Sequence, residues 1–369
     1  MHVRSALNTP SHNIAPGLEV AMKILRNLYS GTNIALLHMP TPFRRACLSL
    51  VSRLPFSLIY PPVFMIEPTN TCNGLCPLCP IGAKIDTRRK GNLRYDDFVV
   101  LVDEIKDFAK VIIMNFAGEP LLNPQIGKLA AYAESKGIRT VIGTNGTLEK
   151  SEELVTAGVS EILFSLDGAT EESYRQYRTY RDGTGYDTVV DNLRKIVEKK
   201  RELGAEKPDI ILQFVVFKHN EHEIKEIMKL GKDIGVDGID FKHVCINDFF
   251  ESPLNELIER FQPKEWEGYG HKGGGAILKP PWCSFSFHET EILWNGDVTT
   301  CCYDYDGNYV VGNVFSDGGF KKVWKSKKYR DIRRKIVKQE LKICKVCDNS
   351  LMQSSRILFK DSSNAIDIK

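Results

Sequence analysis

Short apolar, β-branched runs alternate with amphipathic stretches from residue 62 onward, and this alternation constrains the fold more than any other feature. It is the pattern of βα units that surround a parallel sheet. The predicted strands are residues 63–67, 111–116, 140–143, 162–166, 210–217 and 238–244. The predicted helices are residues 95–108, 125–135, 151–157, 187–202 and 221–234. Functional sites in βα barrels are built at the carboxyl ends of the strands, so the segments that follow each strand are the candidates.

Three cysteines follow the first predicted strand, in the run Cys72-Asn-Gly-Leu-Cys76-Pro-Leu-Cys79. The spacing C-x3-C-x2-C supplies three thiolates, whereas a cubane iron–sulfur cluster has four irons to ligate. A loop of three cysteines therefore leaves one iron open to a ligand that does not belong to the protein. The alternative is a zinc site, which requires four ligands in a closed tetrahedron.

Polar and glycine-containing turns follow the next three predicted strands. Residues 115–120 (N-F-A-G-E-P) follow the second strand, 144–147 (T-N-G-T) the third and 165–170 (S-L-D-G-A-T) the fourth. Each turn alone is weak evidence, since N-G and D-G are ordinary turn dipeptides and a Ser or Asp at a strand end is often a helix N-cap. Turn chemistry alone does not explain their order at the ends of successive strands.

Together the cysteine run and the ordered turns resemble the radical S-adenosylmethionine (radical SAM) superfamily. Its enzymes bind SAM at the open iron of a [4Fe–4S] cluster and cleave it reductively to a 5′-deoxyadenosyl radical, which abstracts a substrate hydrogen atom. The resemblance implies an α/β fold with a partial (βα)6 TIM-like barrel, and a metal site at Cys72, Cys76 and Cys79. It also implies a reductant such as flavodoxin or ferredoxin.

The same resemblance assigns the contacts with SAM to residues at the strand ends. The turn at Gly118 and Glu119 corresponds to the G-G-E-P motif that holds the SAM amino group, although Ala117 stands where the first glycine is usual. In relatives a serine and an arginine at this spacing contact the SAM carboxylate and ribose, and an arginine can bind a carboxylate bidentately. The expected SAM-binding residues are Gly118, Glu119, Asn145, Ser165, Asp167 and Arg178.

A second group of cysteines lies in the C-terminal part of the sequence. Cys283 precedes a G-x4-C run that ends at Cys301, and the pair Cys344 and Cys347 follows after a G-N turn and a tryptophan. This arrangement resembles the SPASM domain, which follows radical SAM barrels and binds auxiliary [4Fe–4S] clusters. The full SPASM pattern has cysteines for two clusters. The reduced set here implies one auxiliary cluster, ligated by Cys283, Cys301, Cys344 and Cys347, whereas in isolation the four thiolates would also suit zinc.

The sequence divides into five segments on this interpretation. They are an N-terminal helical extension (1–60), the barrel (61–261), a glycine- and proline-rich linker (262–281), the SPASM domain (282–350) and a tail expected to fray (351–369). The extension lacks the apolar length of a membrane span, and we expect it to pack against the barrel. Peripheral contact between the extension and a membrane is the less favoured alternative.

Composition adds little but agrees with this scheme. The 50 basic and 47 acidic residues form no stripe suited to nucleic acid, so no nucleic-acid partner is expected. The basic pairs Arg44-Arg45 and Arg333-Arg334 are expected to lie on solvated faces. The 10 cysteines, with no secretory signal, indicate a reducing cytoplasm and metal chemistry rather than disulfides.

The sequence leaves the reaction open between oxidation and epimerisation. The family resemblance covers peptide maturases, dehydrogenases of sugar alcohols and epimerases. We expect oxidation of a sugar, another small molecule or a peptide, because an auxiliary cluster offers an exit for the electron. Epimerisation needs a hydrogen-atom donor, for which Cys245 is the candidate catalytic residue. Lys242 and His243 alternate on the sixth strand, so one of them faces the barrel interior. A non-catalytic zinc-binding interaction protein is the alternative of another class.

Overall fold

A computed structural model describes residues 60–244, 257–264, 283, 285–347 and 354–359 of this chain. Ten strands of the described residues form one sheet. They are β1 (Val63–Ile66), β2 (Val111–Met114), β3 (Arg139–Thr144), β4 (Glu161–Ser165), β5 (Asp209–Val216), β6 (Gly238–His243), β7 (Glu289–Ile292), β8 (Asp297–Thr299), β9 (Gly312–Asn313) and β10 (Ser354–Leu358). Their order across the sheet is β10-β6-β5-β4-β3-β2-β1-β7-β8-β9.

The six strands β1 to β6 are parallel and lie side by side in chain order. The sheet is open, and together with the helices that connect these strands it forms the partial barrel expected from the sequence. The predicted α/β fold class is confirmed. The C-terminal segment extends the same sheet, because β7 pairs in parallel with β1 and is followed by the antiparallel strands β8 and β9.

Between β1 and β6 the helices follow the predicted pattern with one addition, and five further helices of the described residues come after β6. In chain order the helices are α1 (Tyr95–Ile105), α2 (Ile126–Ser135), α3 (Ser151–Thr156), α4 (Glu171–Arg175), α5 (Tyr186–Glu202), α6 (Ile224–Ile234), α7 (Ile258–Phe261), α8 (Phe285–His288), α9 (Phe320–Trp324), α10 (Lys327–Val337) and α11 (Lys342–Val346). The sequence analysis missed α4, which is too short to show periodicity. A reciprocal capping box between Thr170 and Ser173 starts this helix.

Alternate residues of the parallel strands face opposite sides of the sheet. The outer side packs under the helices and carries residues that are 0% exposed: Phe64, Ile112, Ile142, Ile162 and Leu212. We call the opposite side the inner face. Strand register places on it a set of half-buried residues: Met65, Ile113, Val141, Leu163 and Gln213. The inner face is therefore the accessible side of the barrel, and its upper edge carries the polar turns.

The C-terminal tail is not frayed where the structure describes it. Residues 354–358 form β10, which pairs antiparallel with β6. Arg356 donates two hydrogen bonds to the Glu161 carboxylate, at 3.0 and 3.1 Å, and lies 3.6 Å from Asp240. The predicted fraying is wrong for this stretch, since its pairing partner lies far away in the sequence. Residues 351–353 and 360–369 of the tail lie outside the described residues.

Arg333 is buried, which corrects the expectation of a solvated basic pair. It is 3% exposed, and its guanidinium carbon lies 3.7 Å from the ring centroids of both Trp324 and Tyr329. A planar, weakly hydrated guanidinium can stack between aromatic rings in this way. Arg334 is exposed as expected and pairs with Asp331 at 2.8 Å.

Several expectations fall on parts of the chain that the structure does not describe. These are Arg44-Arg45, the N-terminal extension up to residue 59, residues 265–281 of the linker and Cys245. Within the described ranges, no helix has the length and apolar character required to cross a membrane.

Candidate active site

The three cysteines of the N-terminal run lie together beyond the carboxyl end of β1. A Cβ atom on Gly74 would lie 3.4 Å from Cys72 Sγ and 3.6 Å from Cys76 Sγ, so both thiols border this glycine. The Cys79 amide donates to the Cys76 carbonyl at 3.1 Å, which folds the third cysteine back towards the second. The sequence-predicted ligands of the first cluster are therefore brought to one loop.

The chemistry of these thiols fits an iron–sulfur cluster. Burial raises the pKa of Cys72 to about 12 and raises that of Cys76 as well. Thiols in such surroundings ionise when a metal ion supplies positive charge beside them. In the described ranges, no group of three or more His, Cys, Asp or Glu side chains is arranged to hold a single metal ion.

Hydrogen bonds fix both ends of the cysteine loop to each other. Thr69 Oγ1 donates to the Gly91 carbonyl at 2.9 Å. The Asn70 side chain donates to the Arg89 carbonyl at 2.9 Å and accepts from the Gly91 amide at 3.0 Å. The segment before Cys72 and the segment that returns after the loop thus form one frame, which the sequence analysis did not anticipate.

Gly118 allows the turn after β2 to approach the cysteine loop. Its φ is +87°, and a Cβ atom there would lie 2.5 Å from the Thr69 carbonyl oxygen and 2.7 Å from that of Thr71. The next amide, of Glu119, donates to the Thr71 carbonyl at 2.8 Å. Only glycine combines this left-handed backbone with so close an approach.

We expect Gly118→Ala to destabilise the protein by about 2 kcal/mol or more, because it adds a steric clash to an unfavourable φ. The measurement is chemical denaturation of the purified protein. Gly137→Ala is the matched control, since Gly137 has a φ of +77° but no atom within 4 Å of the added Cβ. The control should lose only about 1 kcal/mol. Equal losses in the two variants would show that the close approach at Gly118 is unimportant.

Glu119 connects the turns that follow β2 and β3. It is 2% exposed, and its Oε1 accepts from Thr144 Oγ1 at 2.8 Å and from the Leu121 amide at 3.1 Å. Its Oε2 accepts from the Asn145 amide at 2.7 Å, which leaves an acceptor position on that oxygen. Burial raises the pKa of Glu119 and these hydrogen bonds oppose that rise.

Asn145 is engaged in holding the cysteine loop. Its side-chain amide donates to Asn73 Oδ1 at 2.9 Å, and its Oδ1 accepts from the Thr147 amide and hydroxyl at 3.0 and 2.8 Å. Asn73 in turn donates to Thr147 Oγ1 at 2.9 Å. The sequence analysis singled out Asn145 but missed Asn73 and Thr147, although both lie inside the motifs it quoted.

Arg178 is fixed by Asp167 and directed at the cysteine loop. Its Nε donates to Asp167 Oδ2 at 2.6 Å, and its Nη1 lies 3.9 Å from Cys76 Sγ. Asp167 is 0% exposed and also accepts from the Val215 amide at 2.8 Å. Burial lowers the pKa of Arg178, but the charges of Asp167, Cys76 and two tyrosines together outweigh this effect and raise the pKa overall. The guanidinium therefore stays charged beside Cys76.

Ser165 ends β4 close to this pair. It is 8% exposed, and within the described part of the chain its hydroxyl makes no hydrogen bond. Register places Ser165 opposite Gln213, on the inner face. The hydroxyl is thus available to a ligand at the edge where Asp167 and Arg178 lie.

The segment after Arg178 lies along the cysteine loop. The Leu75 amide donates to the Thr179 carbonyl at 2.7 Å, and the Arg181 amide donates to the Asn73 carbonyl at 3.2 Å. The buried hydroxyls of Tyr174 and Tyr180 are 3.0 Å apart. The two backbone hydrogen bonds explain how Arg178, which is distant in the sequence, reaches Cys76.

Lys242 is the residue of the pair 242–243 that lies on the inner face. It pairs in register with Val215, and its Nζ lies 3.4 Å from Asp240 Oδ2. His243 pairs in register with Val216 and lies on the helix side. The predicted alternation is confirmed.

The C-terminal cysteines pack around a small hydrophobic cluster. The cluster consists of Tyr303, Ile336, Leu341 and Ile343. The residues packed against it include all four predicted auxiliary ligands and one further cysteine: Cys283, Cys301, Cys344, Cys347 and Cys302. The structure thus gathers the predicted ligand set in one place and adds Cys302, which the sequence analysis left unassigned.

Arg88 joins the frame of the first cysteine loop to the C-terminal segment. It donates to both carboxylate oxygens of Glu67, at 2.8 and 2.6 Å, and to the Tyr305 carbonyl at 2.6 Å. The neighbouring Thr87 amide donates to Asp306 Oδ1 at 2.8 Å. Hydrogen bonds of one half-buried arginine therefore connect the frame of the first cysteine loop with the C-terminal segment.

Two family profiles match this chain. The radical SAM superfamily matches residues 66–231, and the SPASM iron-sulfur cluster-binding domain matches residues 283–348. The protein belongs to the radical SAM superfamily and carries a C-terminal SPASM domain. Its cofactors are therefore SAM, a SAM-binding [4Fe–4S] cluster and auxiliary iron–sulfur cluster content in the SPASM domain.

Known proteins with similar sequences are named for different reactions. The Fe-coproporphyrin III synthase of Methanosarcina barkeri is 31% identical over 207 residues, which cover 55% of this chain and 49% of that protein. This chain thus spans about half the length of that relative. The tungsten-containing aldehyde ferredoxin oxidoreductase cofactor-modifying protein of Pyrococcus furiosus is 24% identical, over 72% of this chain and 81% of that protein. Mycofactocin maturase MftC of Mycobacterium tuberculosis is 25% identical, over 72% and 71%.

Solved structures show the same fold. Streptococcus suis SuiB bound to S-adenosylmethionine has a TM-score of 0.57 and 18% identity, covering 90% of this chain and 84% of SuiB. At this identity the likeness concerns the fold.

Proposed function

We propose that this protein cleaves SAM and removes a hydrogen atom from a small-molecule, sugar or peptide substrate, which it oxidises. The observation that carries the proposal is the placement of Arg178, which Asp167 holds within 3.9 Å of Cys76 Sγ. A cation fixed beside a cluster ligand is suited to an anionic group bound at the open iron. SAM carries such a group in its methionyl carboxylate.

In this proposal the residues of the barrel divide into ligands and SAM contacts. Cys72, Cys76 and Cys79 hold the cluster that, with bound SAM, supplies the 5′-deoxyadenosyl radical. The free hydroxyl of Ser165 and the guanidinium of Arg178 bind the SAM carboxylate and ribose. The remaining SAM-binding residues position the amino group and the turns around it: Gly118, Glu119, Asn145 and Asp167.

The SPASM segment completes the proposal. Cys283, Cys301, Cys344 and Cys347 hold an auxiliary [4Fe–4S] cluster, which supplies an acceptor for one electron when bound. Net oxidation of the substrate then needs no further oxidant within the active site. We assign residues 61–261 to the barrel and 282–350 to the SPASM domain, with flavodoxin or ferredoxin as reductant and the cytoplasm as location.

Relatives support a substrate that is either a peptide or a small molecule. One similar protein is named a mycofactocin maturase, and another a coproporphyrin synthase. A second structure of SuiB contains the precursor peptide SuiA. The accessible inner face of this barrel is compatible with either substrate class.

Profiling of metabolites and peptides in cells with and without the protein tests the reaction class. We expect a pair of compounds that differ by two hydrogen atoms, because oxidation removes a hydrogen atom, an electron and a proton. An unchanged mass with solvent deuterium at one carbon would instead indicate epimerisation, since a thiol hydrogen exchanges with water. In that case Cys245→Ala should stop product formation while 5′-deoxyadenosine is still produced. If the Cys245→Ala variant still forms a product that lacks two hydrogen atoms at the normal rate, the epimerase function is excluded.

A further inference from the structure

Two acidic residues of the SPASM segment lie on the inner face of the barrel sheet. Glu289 and Glu291 belong to β7 and pair in register with Val63 and Met65 of β1. Residues opposite each other in adjacent strands share a face, so both carboxylates lie on the side that carries Met65. On the other flank Glu291 pairs with Thr299, and Cys301 follows two residues later. The acidic pair therefore lies between the barrel interior and the auxiliary cysteines.

These carboxylates are buried without the partners that buried charges require. Glu289 is 6% and Glu291 1% exposed. Neither oxygen of Glu291 has a hydrogen-bond donor, and within the described residues neither side chain forms an ion pair. An ionised carboxylate in such a place costs several kcal/mol unless a cation or donor accompanies it.

Other buried carboxylates of the chain show what is missing here. Glu67 is paired bidentately with Arg88, and Asp167 is paired with Arg178. Asp304 accepts from Thr299 Oγ1 at 2.7 Å and from two backbone amides at 2.7 and 2.8 Å. An unpaired buried polar group in a native fold calls for a ligand or a functional role.

We propose that Glu289 and Glu291 bind a cationic group of the substrate, an ammonium or a guanidinium. This inference rests on the proposed function, because it places a substrate on the inner face. A guanidinium carries several donors in a plane and can satisfy both oxygens of one carboxylate while its charge is shared with the second. Burial raises the pKa of Glu289 to about 7 and also raises the pKa of Glu291. A cation bound beside the two carboxylates would lower both pKa values again.

The charges of the inner face indicate at which flank a cationic group would bind. At its opposite flank Lys242 is already accompanied by Asp240, at 3.4 Å. The unsatisfied charge is therefore negative and lies on the SPASM side of the barrel. A substrate whose cationic group binds there would extend from β7 across the inner face towards Ser165 and Arg178.

The test uses the full-length, cluster-reconstituted protein with SAM and two matched probes. The probes are n-butylguanidinium and n-butylurea, which have similar size and shape but differ in charge. We expect calorimetry to show that the wild-type protein binds n-butylguanidinium and does not bind n-butylurea. Glu291→Gln and Glu289→Gln should weaken the binding of n-butylguanidinium at least tenfold. Glu198→Gln, the same chemical change at an exposed position of α5, should not weaken it.

Three outcomes would overturn the proposal. They are no binding of n-butylguanidinium to the wild type, equal binding of the two probes, and equal binding of n-butylguanidinium by the wild type and the two site variants. A thermal melt adds a second criterion. If the pair has no partner within the fold, Glu291→Gln should melt no lower than the wild type, because a neutral amide costs less to bury than a charge. A fall as large as that of Glu67→Gln, which breaks the pair with Arg88, would also overturn the proposal.

The proposed function is judged separately, by the formation of 5′-deoxyadenosine in the wild-type protein. Selective binding of n-butylguanidinium by a protein that makes no 5′-deoxyadenosine would support the cation site and refute the proposed function. Formation of 5′-deoxyadenosine without selective binding would support the proposed function and refute the cation site.

Discussion

Replacing Cys72, Cys76 and Cys79 together by alanine is expected to remove half of the protein's iron and to abolish formation of 5′-deoxyadenosine. With two cubanes the reconstituted wild type holds about eight irons and eight sulfides, and the variant should hold about four of each. The physical reason is that no other thiol of the described chain lies beside this loop to replace the lost ligands. Iron and sulfide analysis of anaerobic protein, together with chromatography of the SAM products, makes the measurement.

The reciprocal variant separates the two clusters. Replacing Cys283, Cys344 and Cys347 should also halve the iron, but it should leave SAM cleavage in the absence of substrate largely intact. Cys302→Ala is the single-cysteine control and should retain about eight irons. Production of 5′-deoxyadenosine by the variant that lacks the N-terminal cysteines would contradict the assignment of the first cluster.

Arg178→Ala should weaken SAM binding by about 10- to 100-fold. In its proposed role the side chain makes a charge-assisted contact with the SAM carboxylate, and the loss of such a contact costs about 1.5–3 kcal/mol. Equilibrium dialysis of labelled SAM against reconstituted, anaerobic protein gives the affinity. Arg175→Ala is the matched control, because Arg175 lies three residues before Arg178, is exposed at the end of α4 and pairs with Glu171.

Asp167→Asn refines the same experiment. It keeps the shape of the side chain but removes the charge that holds Arg178, so we expect an intermediate loss of SAM affinity. The loss of affinity arises because the weakened bond to residue 167 no longer holds the guanidinium in position. If Arg178→Ala binds SAM as tightly as Arg175→Ala does, Arg178 is no SAM contact.

The fold of the barrel follows from local sequence signals. Each of the strands β1 to β6 places apolar residues on the helix side, and burial there imposes the alternation seen at Phe64 and Ile112. The predicted strand and helix ends differ from the observed ones by a few residues. Such differences are ordinary at element ends, where hydrogen bonding changes from regular to irregular.

Features that depend on distant pairing could not be predicted in the same way. Nothing local in the sequence Glu289–Ile292 indicates that it pairs with β1, and the short run Ser354–Leu358 shows no sign of its place beside β6. The link from Arg88 to Tyr305 likewise joins residues that only the folded chain brings together.

The same distinction between local and distant signals applies to the candidate site. The cysteines and turns were predictable because each motif is contiguous in sequence. The pairing of Arg178 with Asp167 and the contact of Asn145 with Asn73 were not, because they depend on the geometry of several loops at once. The structure also shows that Glu119 and Asn145 bind other protein groups, so their role includes building the pocket.

The position of β10 has a consequence for how this protein is made. Both flanks of the six-stranded parallel sheet are covered by segments that the ribosome adds later: β7 on β1, and then β10 on β6. Until residues 354–358 emerge, β6 presents an uncovered row of backbone donors and acceptors, which is a template for pairing with other chains. A nascent barrel is therefore exposed to aggregation throughout synthesis of the SPASM segment, and dependence on chaperones is expected to be greatest in that interval.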